Sequence, residues 1–388
     1  MICRHRHNPK ALCGQPCPDS VTGVLPSQVR SQAREIISAW SGYTPTALRP
    51  LDALARELGV AEVYYKDESS RFDLASFKAL GGAYAVQLLL CRIIGDELGR
   101  VVTPADIDRV GYPEQAKALT VVTATDGNHG RSVAWGAQRF GCECEVYMHE
   151  QVSPGRQRAV EAYGARVHRV KGNYDDSVRQ AAADARRHGW HVVSDTSWPG
   201  YVDIPRSVMA GYTMMTSEVM GQWPHVEPPT HVFIQGGCGG LAGAVCQDMW
   251  SRLGVDRPRF IVVEPEPAAC LFESACAGAP RMVDITTETL MAGLSCGEVS
   301  LLAWPVLEPA VDHFLTMTDD QVPPLMRRLA QEESIVAGES AIAGLAGLIG
   351  ACADGELAEC MDLSSHSRVL LLGTEGATDQ AVYDTLVR

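Results

Sequence analysis

Short runs rich in Val, Ile, Tyr or Leu recur along the chain, and most lead into a stretch with helical periodicity. The β-type runs are Val63–Lys66, Leu119–Ala124, Glu145–Met148, Arg166–Val170, Trp190–Ser194, His231–Gln235, Phe260–Val263 and Val369–Leu372. The helical stretches between them include Ala79–Cys91, Arg131–Arg139, Gln157–Tyr163, Tyr174–Arg187 and Leu241–Arg252. Strands that alternate with helices build βαβ units and a mostly parallel sheet. Several runs are apolar throughout, as strands covered on both faces are. Domains usually take about 100–200 residues each, so a chain of 388 residues is expected to hold two lobes. The expected class is α/β.

Charge narrows the partners. The chain carries 33 Lys and Arg against 47 Asp and Glu, a formal net charge of −14. Nucleic acids and anionic membranes are held mainly by basic side chains, so neither is an expected partner. The longest apolar run, Ala341–Ala353, is shorter than the roughly 18 residues a membrane span requires. Met1–Ser20 is polar, holds Arg4, Arg6 and Lys10, and lacks the apolar core of a signal peptide. Thirteen cysteines are scattered from Cys3 to Cys360, a pattern that fits reduced thiols and a cytoplasmic protein. Cys3, His5, His7, Cys13 and Cys17 are of metal-ligating types, but a loosely ordered tail without metal is the expectation for them. Cys270 and Cys296 flank a loop region, and spacing alone does not decide whether they pair.

In open α/β sheets ligands sit beyond the carboxyl ends of the strands, at helix N-termini. Four such junctions carry chemistry. After Val63–Lys66 comes Ser76-Phe77-Lys78, with the lysine among small and apolar neighbours where its pKa can fall, as a Schiff-base amine requires. A surface lysine whose stem covers apolar residues fits the same context. After Leu119–Ala124 comes Thr125-Asp126-Gly127-Asn128-His129-Gly130, a turn whose N–H groups can form an anion nest while Asp126 moves a proton. Asp195 follows Trp190–Ser194 and reads either as an acid facing the crevice or as a helix N-cap. After His231–Gln235 comes Gly236-Gly237-Cys238-Gly239-Gly240, suited to a phosphate held by backbone N–H groups and a helix dipole. Gly237, Gly239 and Ala242, with Glu264 closing the next run, also satisfy a relaxed dinucleotide-binding pattern.

Taken in order, Ser76-Phe77-Lys78, Thr125–Gly130 and Gly236–Gly240 resemble the corresponding segments of fold-type II pyridoxal-phosphate enzymes, the class of threonine dehydratase and tryptophan synthase β. Lys66-Asp67-Glu68-Ser69, Thr123–Arg131, Asp195-Thr196-Ser197-Trp198 with Gly200-Tyr201, Met291–Glu298, Gly338-Glu339-Ser340 and Gly373–Asp379 are similar, more specifically, to 2,3-diaminopropionate ammonia-lyase. The likeness runs from about Ser41 to Arg388. It departs from the family pattern before the lysine, where Ala75 stands in place of an asparagine, and in the glycine-enriched loop. Both changes lie toward the generic dehydratases.

The resemblance implies two lobes, each with a mainly parallel sheet flanked by helices, and an active site in the cleft between them. It implies a large cofactor-binding domain from 41–88 and 215–388 and a smaller domain of 89–214, after a tail of 1–40. It implies pyridoxal 5'-phosphate as cofactor, no metal, a homodimer, and a small amino-acid substrate. The implied reaction is an α,β-elimination of D- and L-2,3-diaminopropionate to pyruvate and two ammonia. Lys78 would carry the cofactor, Asp126 would serve the D-isomer and Asp195 the L-isomer, with Phe77 beside the lysine. Asn128 would meet the ring hydroxyl, Gly236, Gly237, Cys238, Gly239 and Gly240 the phosphate, and Thr374 the pyridine nitrogen. Thr125, Gly127 and His129 would line the substrate together with the two acids. A serine or threonine dehydratase, or a β-replacement synthase of the same fold, is the alternative, and an NAD-linked oxidoreductase a more distant one.

Overall fold

The computed structural model describes residues 2–125 and 127–388, the side chain of Asp175 excepted. Its strands, in chain order, are β1 (Ile2–His7), β2 (Ala47–Pro50), β3 (Glu62–Asp67), β4 (Thr120–Ala124), β5 (Glu143–His149), β6 (Arg166–Val170), β7 (His191–Val192), β8 (His231–Gln235), β9 (Arg259–Pro265), β10 (Val311–Met317) and β11 (Arg368–Gly373). The chain divides into two compact units.

The larger unit comprises Met1–Ser27, Thr44–Ser76 and Met215–Arg388. Its seven-stranded sheet runs β1-β10-β9-β8-β11-β3-β2. The pairings from β10 to β3 are parallel, and β1 and β2 close the edges antiparallel. β8, β9 and β10 are buried along their length, or nearly so, which explains their continuous apolar composition. Leu345 and Leu348 of the helix Ala343–Ala353 share an apolar cluster with Phe233, Ile261, Val263 and Leu315 of the sheet.

The smaller unit comprises Gln28–Tyr43 and Phe77–Met214, with an all-parallel sheet ordered β6-β5-β4-β7. Its central helix, Ala79–Leu98, is long and apolar enough to cross a membrane, yet 78% of its apolar 18-residue stretch is buried in the fold. That helix packs closely on Asn128–Phe140. A Cβ added at Gly136 would lie 2.7 Å from Ala83 Cα.

Two expectations need correction. Residues 1–40 are not a loose tail: β1 pairs with β10, with His7 opposite His313, and the helix Ser27–Ser38 buries Arg30, Ala33 and Ile37. The Cys-Arg-His-Arg-His run does not read as a strand because an edge strand tolerates exposed charge, and its partner lies some 300 residues downstream. The expected boundary at residue 88 also moves. The chain passes between units at Ser76 and Phe77, because close helix packing commits Ala79–Leu98 to the smaller unit.

Candidate active site

In the smaller unit Lys78 immediately precedes the helix Ala79–Leu98. Its Nζ donates to Asp195 Oδ2 at 2.5 Å, with 18% of the lysine and 15% of the aspartate side chain exposed. The ammonium also lies 5.4 Å from the Phe77 ring centroid and 5.8 Å from that of Tyr212. Burial alone disfavours charge on Asp195, but His129, Lys78 and the hydrogen bond from Lys78 outweigh it and hold the carboxyl well below the usual range. Burial in turn pushes the His129 imidazole down, more than Asp195 raises it. His129 is therefore neutral near pH 7, and Lys78 is the cation acting on Asp195 there.

The loops after the strands aim these groups. Asp195 lies between β7 and the helix Asp203–Gln222, too early in the chain to be that helix's N-cap. Tyr201 pins this loop to the strand: its hydroxyl accepts from Ser194 N at 3.0 Å and donates to Val192 O at 2.9 Å. Trp198 stacks on Tyr201 at 4.1 Å. After β4, Thr125 Oγ1 accepts from Gly127 N and Gly130 N at 3.0 and 3.1 Å. Asn128 and His129 then open the helix Asn128–Phe140. His129 Nε2 donates to Val193 O at 2.9 Å, so Nδ1, buried without a hydrogen-bond partner, faces Asp195 Oδ2 at 3.8 Å. Asp126 lies outside the described residues.

Gly236–Gly240 and Thr374 belong to the larger unit, at the carboxyl ends of the neighbouring strands β8 and β11. Gln235 Nε2 donates to Thr374 Oγ1 at 3.2 Å. The threonine oxygen is thereby used as an acceptor and its O–H remains to donate. Gly239 has φ +93°, and a Cβ there would lie 2.7 Å from Leu307 Cδ1; one at Gly236 would lie 2.4 Å from Glu264 Cγ. The Gly236 amide itself donates to Val263 O at 3.0 Å, so this residue turns the chain. The loop feeds the helix Gly240–Leu253, whose first turn has no acidic residue. A side-chain-poor loop leading into a helix with no acidic residue in its first turn fits a phosphate-bearing cofactor.

Glu264 removes the dinucleotide reading. It is fully buried and accepts from Leu271 N and Phe272 N at 3.0 and 2.7 Å, capping the helix Cys270–Ala277 instead of facing a ribose. Cys270 and Cys296 are not joined by a disulfide. Tyr212 is the neighbour of the lysine–aspartate pair that sequence reading missed. Tyr212 sits within a long helix and carries no local signal, whereas Tyr201 belongs to the Asp195 segment already singled out and adds its hold on that loop.

Strands, lysine and glycine loop together define a cofactor enzyme of the α/β class. The chain belongs to the pyridoxal-phosphate dependent enzymes, whose family model matches residues 39–375, and pyridoxal phosphate is its cofactor. Within that class it belongs to the diaminopropionate ammonia-lyase family of lyases. It is 36% identical to the diaminopropionate ammonia-lyase of Escherichia coli over 94% of this chain and 93% of that one. It is similar to a crystal structure of the Escherichia coli enzyme in complex with an aminoacrylate-PLP azomethine reaction intermediate, with a TM-score of 0.88 and 33% identity, covering 100% of this chain and 97% of that one. A biosynthetic L-threonine dehydratase of Escherichia coli is more distant, 28% identical over 61% of this chain and 44% of its own.

Proposed function

We propose that the chain converts D- and L-2,3-diaminopropionate, with one water, to pyruvate and two ammonia. The observation that carries this reading is the Lys78–Asp195 contact of 2.5 Å, in a chain whose family performs that elimination by name. Pyridoxal phosphate, when bound, supplies an electron sink for charge left at the α-carbon. Lys78 would hold its aldehyde carbon, and the Lys78 Nζ would return a proton to the departing β-amine. Gly237, Cys238, Gly239 and Gly240 would bind the phosphate and Asn128 the ring hydroxyl. Thr374, its oxygen already accepting from Gln235, would donate to the pyridine nitrogen.

Asp195, held ionised by its cationic neighbour, would take the α-proton of the L-isomer. Asp126 would take that of the D-isomer, because opposite hydrogens lie on opposite faces of a planar adduct. Phe77, Thr125, Gly127 and His129 would shape the substrate space. Thirteen cysteines scattered along the chain suit a reducing cytoplasm, and a homodimer is the assembly the family resemblance implies. The test is keto-acid formation from both isomers of diaminopropionate, from serine and from threonine. Diaminopropionate turnover of both isomers, well above that of serine or threonine, is expected. Preferential turnover of serine or threonine would make the chain a dehydratase.

A further inference from the structure

In the larger unit, away from the glycine loop in sequence, two strands and a helix end bring metal-ligating side chains together. His5 and His7 are two residues apart on β1 and so share a face. The antiparallel register places His7 opposite His313 and His5 opposite Leu315 of β10, which puts His313 on that same face. His5 Nε2 and His313 Nδ1 are 3.0 Å apart, with the rings stacked at 5.3 Å. His7 adds a third imidazole, 5.2 Å from the His313 ring. Cys360, a free thiol, ends the helix Gly355–Cys360. One ligand atom from each of His5, His313 and Cys360 lies within 4.8 Å of the others.

These spacings approach those of a metal site. Two nitrogens each about 2.0–2.1 Å from a tetrahedral zinc ion are roughly 3.3 Å apart, and a nitrogen and a sulfur roughly 3.6 Å. The 3.0 Å contact requires at least one neutral ring, because two protonated imidazoles offer only donors. Neutral imidazole is the form that ligates. Asp354 caps the same short helix by accepting from Glu356 N and Leu357 N. Arg259 of the same sheet is paired with Asp362. Two nitrogens and a sulfur select a borderline-soft ion such as zinc over magnesium or calcium.

We propose that His5, His313 and Cys360 bind one divalent cation of the zinc class. The fourth position is open to solvent or to His7, and the ion fastens β1 to β10 and to the helix Gly355–Cys360. Binding deprotonates the Cys360 thiol and releases that proton to solvent. Nothing in the elimination chemistry requires this ion, so the site is separable from the proposed activity.

The test uses the untagged holoenzyme, freed of metal with a chelator and titrated with zinc by calorimetry, and with cobalt by its visible bands. His5→Gln and Cys360→Ser alter exposed side chains, so both variants fold. Cys276→Ser, an exposed thiol elsewhere in the same unit, is the control. The expected result is one equivalent of zinc with Kd below about 10 μM, a cobalt spectrum with thiolate character, and a Tm that rises with zinc. Each ligand variant should bind at least about tenfold more weakly, with the control unchanged. A wild-type protein that takes up no zinc at about 100 μM, or ligand variants that bind as tightly as wild type, would overturn the proposal.

Discussion

Lys78 Nζ and Asp195 Oδ2 meet at 2.5 Å although 117 residues separate them in the chain. The contact joins the residue before one helix to a loop pinned by Tyr201, so neither side chain depends on the other to be placed. Lys78→Ala should therefore fold as the wild type does and fail chemically. Turnover is expected to drop at least about a thousandfold, and the visible absorbance of bound cofactor to disappear. Absorbance spectra and a keto-acid assay of the purified variant check both.

Asp195→Asn preserves shape and removes the charge. Loss of a positioned general base costs about 10²–10⁴-fold, and the expected loss falls on the L-isomer, leaving D-isomer turnover within a few fold. Asp126→Asn should do the reverse. Measuring kcat/KM for both isomers in both variants decides the matter; equal losses in all four measurements would defeat the two-base assignment.

Gly239→Ala should weaken cofactor binding. Its Cβ would meet Leu307 Cδ1 at 2.7 Å, at a φ of +93° that costs an L-residue about 1–2 kcal/mol. Displacing the loop moves its N–H groups off the phosphate. The Kd for pyridoxal phosphate is expected to rise at least about tenfold, or ~1.4 kcal/mol, as read by titration of the apoenzyme.

Much of this was legible because βαβ order and the four strand-end junctions are local patterns. His231–Gln235 and Arg166–Val170 coincide with their strands in full, and Tyr174–Arg187 falls one residue short of its helix. What escaped depends on distant partners. β1 is charged and exposed, and only its pairing with β10 makes it a strand. β10 itself, Val-Asp-His-Phe-Leu-Thr-Met, hides Asp312 in an ion pair with Arg257, so its polar residues disguised a buried strand. Tyr212 reaches Lys78 from a helix whose period says nothing of the site.

The Lys66-Asp67-Glu68-Ser69 segment, noticed for its likeness to the family, is structural. Lys66 and Arg71 are buried against Glu218, at 2.6 and 2.7 Å, and Arg71 also reaches Glu68 at 2.8 Å. Removing one partner leaves buried charges uncompensated, which costs about 3–5 kcal/mol. Glu218→Ala should lose that much in denaturant unfolding. Glu218→Gln, which keeps an acceptor for the guanidinium, should lose less.

Glu264 gives the fold a pH dependence. Burial pushes its carboxyl up to about 8, against the two amide donors Leu271 and Phe272. Below the unfolded value of about 4.5 the proton is bound in both states. Between there and about 8 only the folded state keeps it, so stability is lost as pH rises, by at most ~1.4 kcal/mol per pH unit. The Tm of wild type minus that of Glu264→Gln should therefore fall between pH 5 and 8 and level off above. A pH-independent difference would mean that the two amides hold the carboxylate ionised. The distinction bears on the cofactor, because Glu264 touches the Gly236 turn: a neutral carboxyl there leaves the loop's N–H groups unopposed for a phosphate, whereas an ionised one would repel it.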